Sequence, residues 1–230
     1  MLIPLILAVI LVAVHLFSEE YSSHVERYHV HTLSFSAGLF LGLIFLNLLP
    51  EAFKGVAYLG ESIYLLMVSG FVLFHLGEKY IYQHIKNKAE LLQDLASIHV
   101  LGFFANHFVI GIMLFLVFSG ENVVAGFLVF IPLLLHSFSS SLSLNHIDKH
   151  FNRKSISGIA LPLAPLLGVA FAILLNPDSL LYYSLFAFVI GAMLYISIRD
   201  LLPKGEQGRP LLFLSGALIS VLAKVVLSLL

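Results

Sequence analysis

The stretches Asn47-Leu-Leu-Pro-Glu51 and Asp200-Leu-Leu-Pro203 end two long apolar runs of the chain, and both contain the sequence Leu-Leu-Pro. When the two runs are aligned at an offset of 153 residues, Gly38 also falls on Gly191. Two leucine-rich helices can share residues by chance, but the agreement at several positions favours an internal repeat. The repeat predicts that two parts of the chain fold alike.

The composition excludes a soluble globular protein. The 230 residues are 60% hydrophobic and 11% charged, whereas an average soluble domain carries roughly 25% charged residues. The few charges cluster between apolar runs, as is typical of a protein embedded in lipid. A formal net charge of −1 suggests no nucleic-acid partner, and the absence of cysteine excludes disulfides and thiolate ligands.

Eight apolar segments are long enough to cross a bilayer, which takes about 20 mainly apolar residues. The first lacks the basic start and the small-residue cleavage site of a signal peptide, so it is counted as a span. The connections between segments are too short to fold separately. We therefore predict one all-α, polytopic membrane domain over residues 1–230, with spans at about 1–17, 32–50, 60–77, 95–118, 122–145, 157–175, 179–198 and 210–230.

The basic residues predict how the spans are oriented. With the N-terminus outside, ten basic residues fall in the inner loops and only Lys54 falls in an outer loop, while Lys224 lies within the last span. Lysine and arginine are enriched on the cytoplasmic side, so we expect both termini outside. Spans one to three then mirror spans six to eight in the opposite orientation. Inverted repeats of this kind are typical of transporters that bind their substrate near the membrane midplane.

The fourth and fifth spans, which the repeat leaves unpaired, carry most of the polar residues inside apolar segments. Asn106 and His107 lie in the fourth span, and His136, Ser137 and Ser140 lie in the fifth. Neutral imidazole binds zinc, iron and nickel well, and histidine titrates near physiological pH. The two histidines therefore suggest metal ligation or a proton relay. The alternative is a pair of buried histidines hydrogen-bonded between helices.

Other polar residues carry weaker signals. His99 shares a helical face with Asn106 but lies nearer the inner end of the fourth span, where an interfacial position is expected. The serines after His136 are also suited to close helix packing. A hydrolase that uses one of them is disfavoured, because no Gly-x-Ser-x-Gly motif or acidic partner lies beside it. We therefore expect neither an enzyme nor a cofactor.

The chain resembles, over essentially its whole length, the ZIP family of divalent-metal transporters. The second span of that family typically reads Phe-x-Ala-Gly-x-Phe-Leu, followed by His-Leu-Leu-Pro-Glu-Ala. Here Phe35-Ser-Ala-Gly-Leu-Phe-Leu41 and Asn47-Leu-Leu-Pro-Glu-Ala52 match, with Asn47 where a histidine is usual. Gly191-Ala-Met-Leu-Tyr195 is similar to the seventh span. The resemblance implies eight spans in a 3+2+3 inverted arrangement, both termini outside, and import of zinc, iron or manganese.

The resemblance does not extend to the acidic metal ligands. Asn106, His107 and His136 match ligand positions of the family's fourth and fifth spans. Four positions where the family carries other ligating residues, mostly acidic, hold uncharged residues here: Ile110, Ser137, Ser140 and Leu161. Loss of charged ligands should cost several kcal/mol of binding, roughly two or more decades in affinity.

We therefore expect a ZIP-like transporter, in the cell (inner) membrane, that moves a divalent cation into the cytosol, with zinc as the foremost candidate. Its reduced metal site would consist of His107, His136 and Asn106, between spans four and five. The residues expected along the pathway are Ser137, Ser140, Asn47 and His99. The alternative is a transport-inactive ZIP-like scaffold that acts as a partner or sensor subunit. The lipid bilayer and the metal ion are the expected partners, and a homodimer is left open.

Overall fold

A computed structural model of the chain describes residues 2–20, 29–84, 88–120, 123–147, 156–201 and 208–229. All regular structure in these residues is helical, which confirms the predicted all-α class. Each predicted apolar segment falls on one long helix. The long helices are α1 (Leu2–Glu20), α2 (His29–Leu43), α3 (Ser62–His84), α4 (Lys88–Ser119), α5 (Val123–Ile147), α6 (Ile156–Leu175), α7 (Ser179–Ile196) and α8 (Pro210–Leu229).

The α2 and α7 helices both continue into a single π-helical segment, at Ile44–Leu48 and Ser197–Leu201. The offset of 153 residues found in the sequence carries the first segment onto the second. Single π-helical turns are rare and frequently lie at functional sites. The two repeats therefore share an unusual backbone geometry as well as residue identities. Short helices at Leu49–Phe53 and Val56–Leu59 then lead to α3.

Glycines bring two pairs of helices into direct backbone contact, α2 with α8 and α7 with α3. A Cβ atom on Gly38 or Gly216 would overlap the backbone of the opposite helix, and the same holds for Gly191 and Gly70. A shift of 153 residues carries Gly38 of α2 onto Gly191 of α7, and a shift of 146 carries Gly70 of α3 onto Gly216 of α8. The two pairs of helices are thus built from equivalent contacts.

The remaining helices pack against one another and against these two pairs. The α4 helix lies along α6, where Gly111 and Gly168 bring the two backbones together. The α1 helix packs against α5 and α6, and α5 packs against α2. The apolar core includes residues of both α4 and α5. Its largest fully buried side chains include Ile110, Met113, Leu114, Leu116 and Leu133.

Large apolar side chains also cover much of the outside of the bundle. Leu65, Leu174 and Leu211 are 72%, 85% and 81% exposed. Extended apolar surfaces of this kind are rare on water-soluble monomers and typically mark contact with a membrane or a partner. Two helical stretches, Val30–Leu59 and Ser179–Arg199, are long and apolar enough by themselves to cross a membrane. These features indicate association with a membrane.

Candidate functional site

A buried polar cluster lies in the centre of the bundle, where α4 meets α5. Asn106, His107 and His136 are each 1% exposed, and Ser137 is fully buried. Residues 106 and 107 are adjacent on α4, and residues 136 and 137 are adjacent on α5. Contact between the two helices brings these two pairs of residues together. Of the fourth- and fifth-span site residues that the sequence predicted, these four are thus neighbours, while the side chains of Ser140 and His99 lie outside those the structure describes.

The direct contact within the cluster joins the side chains of Asn106 and His136. The amide nitrogen Nδ2 of Asn106 lies 3.1 Å from Nε2 of the His136 ring. An amide nitrogen donates hydrogen bonds, so Asn106 donates to Nε2 in the His136 tautomer that leaves this nitrogen without a proton. Phe40 of α2 stacks on the other side of this ring, with centroids 5.0 Å apart and planes inclined by 13°. The imidazole is therefore held between an amide donor and an apolar wall.

A third histidine, His15 of α1, joins the cluster and was missed in the sequence. Its ring is 1% exposed and meets the ring of His107 edge-on, with centroids 5.5 Å apart. The sequence alone could have revealed it, because His15 is the only polar residue in the apolar run from Leu2 to Phe17. A histidine inside such a run is costly in lipid and marks a functional candidate. The cluster thus draws residues from α1, α4 and α5.

Two of the positions that the resemblance to the ZIP family aligns with ligating residues are filled by buried apolar side chains. Ile110 is fully buried and Leu161 is 1% exposed. The close contact of Gly111 with Gly168 holds α4 and α6 together in the same region. No three His, Cys, Asp or Glu side chains among those described come close enough together to hold a metal ion. The cluster residues offer imidazole, amide and hydroxyl groups as donors.

Asn47, expected along the pathway, lies in the π-helical segment after α2 and lines a cavity of about 780 Å³. None of the cluster residues named above lines this cavity. Its wall includes Val129, which lies seven residues before His136 on α5, or roughly 10 Å along the helix. The cavity and the cluster are therefore stacked along α5. The side chain of His99 lies outside those that the structure describes.

A charged cluster joins α3 to the end of α7. Arg199 donates from Nη1 to Oε2 of Glu78 at 2.9 Å, and the Tyr195 hydroxyl donates a short hydrogen bond to the same oxygen. The guanidinium carbon of Arg199 also lies 5.8 Å from the centre of the Tyr195 ring. Glu78 and Arg199 are only 19% and 27% exposed. This contact holds together the end of the helix pair that carries Gly70 and Gly191.

No protein-family model and no curated protein sequence matches this chain. The likeness to ZIP transporters therefore rests on the motifs quoted above and on the residues that those motifs bring together. The function has to be argued from the geometry and chemistry of the clusters themselves.

Proposed function

We propose that this chain is a ZIP-like integral membrane transporter that carries a divalent metal cation, zinc above all, into the cytosol. The observation that supports this most directly is the contact between Asn106 and His136. The resemblance assigns both residues to the metal site, although they lie 30 positions apart on different helices. Their meeting in the buried centre of the bundle is what a site between the fourth and fifth spans requires.

The apolar surface supports placement in a bilayer. The long helices match the predicted spans, and exposed leucines such as Leu65, Leu174 and Leu211 would face lipid rather than water. We propose eight spans in the cell (inner) membrane with both termini outside, as the distribution of basic residues favours. The exposed apolar side chains then need no protein partner to cover them.

The equivalent helix pairs support the 3+2+3 arrangement of spans. The α2–α8 and α7–α3 contacts use equivalent glycines, and both repeats carry a π-helical segment. In inverted-repeat transporters the substrate binds at the interface of the repeats, near the midplane. The contacts of α4 with α7 and of α5 with α2 support a site of this kind for Asn106, His107 and His136.

A neutral site favours one class of cation. Imidazole suits zinc, copper, iron and nickel, whereas carboxylate, carbonyl and water suit magnesium, calcium and manganese. A metal bound through Nε2 of His136 must displace Asn106, which uses that lone pair in the structure. Binding to the resting cluster is therefore weak. Weak binding is compatible with transport, because a carried ion must also leave.

Metal uptake into proteoliposomes tests the proposal. Zinc, manganese, iron(II) and cadmium would be supplied in turn to vesicles that contain the purified protein, with protein-free vesicles as the control. We expect uptake of zinc to exceed uptake of manganese, since the donors are nitrogen atoms. The proposal fails if none of the four ions enters faster than into the protein-free vesicles.

A transport-inactive scaffold is the second candidate. The observation in its favour is the apolar packing of Ile110 and Leu161 at two acidic positions of the family, with exposures of 0% and 1%. Such packing leaves no space or charge for a second cation in that part of the bundle. If the chain is such a scaffold, zinc binding and zinc uptake should both stay at background level. Its fold should nevertheless be as stable as that of an active transporter.

A further inference from the structure

Lys224 is a basic residue within the C-terminal half of an apolar helix, and it lines the cavity of about 780 Å³. It lies in α8, where its neighbours Val221, Leu222 and Val225 are exposed and apolar. The lysine itself is half-buried. A charged side chain within an apolar span is costly and as a rule faces water or a partner inside the bundle. Lys224 thus directs a positive charge into a cavity large enough for a small solute.

The other charges around this cavity already have roles. Lys54 forms an ion pair with Glu51 at 2.8 Å. Asp178 accepts a hydrogen bond from the backbone of Leu181 at 2.8 Å and so caps α7, where the helix dipole offsets its negative charge. Lys224 forms no ion pair with any acidic side chain that the structure describes. Lys224 is thus the basic residue of the cavity lining that these contacts leave without an ion pair.

The repeat shows which kind of group would compensate Lys224. The shift of 146 residues that relates α3 to α8 carries Glu78 onto Lys224. Glu78 is neutralised inside the protein by Arg199 and Tyr195 of the opposite helix. The shift of 153 residues carries those two partners back onto Leu46 and Gly42, which offer neither a charge nor a hydroxyl group. One half of the bundle thus contains the ion pair of Glu78 and Arg199. At the equivalent position the other half contains the positively charged Lys224 beside a cavity.

We propose that this cavity binds a small oxyanion, a carboxylate or phosphate group, which takes the place that Arg199 and Tyr195 fill opposite Glu78. The ammonium of Lys224 supplies the charge. The amide of Asn47 lines the same cavity and can donate to an oxygen of the anion. The site goes beyond metal transport, because it uses none of the cluster residues His15, Asn106 and His136.

Two sources can supply such an oxyanion, namely a free anion in water and the phosphate of a lipid headgroup. Thermal unfolding of the purified protein in an uncharged detergent distinguishes them, because a ligand of the folded state raises the melting temperature. One titration uses inorganic phosphate with chloride as the salt control. The other uses phosphatidylglycerol with phosphatidylcholine as the lipid control.

We expect phosphate to stabilise the wild-type protein, and Lys224→Gln to weaken its apparent affinity by about tenfold or more. Lys224→Arg keeps the charge and should bind. Lys79→Gln changes an exposed lysine outside the cavity and should bind like wild type. A Lys224-dependent response to phosphatidylglycerol alone would identify the headgroup as the source. Equal responses of Lys224→Gln and wild type to both ligands would overturn the proposal, and the metal-uptake assay would be unaffected by that result.

Discussion

The amide of Asn106 donates to the imidazole of His136 at 3.1 Å, from α4 to α5, in a part of the bundle where both side chains are 1% exposed. This contact orients the His136 ring, because Nε2 faces the amide of Asn106. It also connects the two central helices through a polar bond rather than through apolar packing alone. The cluster is therefore both a structural contact and a candidate metal site.

Removal of the amide should destabilise the protein. Asn106→Leu leaves the buried Nε2 of His136 without this donor, which typically costs about 1–3 kcal/mol. Unfolding in a detergent–denaturant mixture measures the change in free energy. Ser69→Ala is the control, because the Ser69 hydroxyl bonds to the carbonyl of Leu66 in its own helix at 2.7 Å. Equal stabilities of Asn106→Leu and Ser69→Ala would contradict the role given to the amide.

The glycine contacts predict equivalent sensitivity in the two halves of the bundle. Gly38→Ala and Gly191→Ala each place a Cβ atom against a backbone carbonyl of the opposite helix, so both should strongly lower the melting temperature. Gly77→Ala is the matched control, since nothing lies within 4 Å of its added Cβ. Alanine is favoured over glycine in a helix by about 1 kcal/mol. Thermal stability of Gly38→Ala equal to that of Gly77→Ala would refute the close packing.

The half-buried ion pair of Glu78 and Arg199 should be coupled more strongly than a surface pair. The side chains of Glu78 and Arg199 are 19% and 27% exposed, whereas those of Glu51 and Lys54 are 38% and 65% exposed. Double-mutant cycles with glutamine should give about 1 kcal/mol or more for the first pair and about 0–1 kcal/mol for the second. A larger coupling energy at the surface pair would show that the contact between α3 and α7 is not held in this way.

If the cluster is the metal site, His15 should contribute to the rate of zinc uptake. His15→Leu removes one imidazole but keeps an apolar volume, so the initial rate of zinc uptake should fall while the melting temperature changes little. The exposed His31 provides the control, and His31→Ala should transport like wild type. An unchanged uptake rate in His15→Leu would restrict the site to α4 and α5.

The sequence predicted the all-α class and the positions of the long helices well, for a physical reason. The long apolar runs are the only segments able to form helices with apolar surfaces on all sides, and each became a helix. The repeat at Gly38 and Gly191 also proved meaningful, because small residues permit close backbone contact and such contact is specific. The glycines that revealed the repeat therefore also mark where helices pack closely against each other.

The site was predicted only in part. His107, His136 and Asn106 were found because they interrupt apolar segments, and Asn106 proved to contact His136. His15 was overlooked because the first segment was judged only for its length and its likeness to a signal peptide. The contacts of Glu78 with Arg199 could not be foreseen, since a pair that is 121 residues apart depends on how the helices pack. The cavity depends on packing in the same way.

The most direct test of the proposed function is the initial rate of zinc uptake into proteoliposomes that contain wild-type protein, His136→Ala or His31→Ala. We predict that wild type and His31→Ala take up zinc at similar rates, while His136→Ala falls to the rate of protein-free vesicles. Undiminished uptake by His136→Ala, at equal protein incorporation, would contradict transport through the buried cluster.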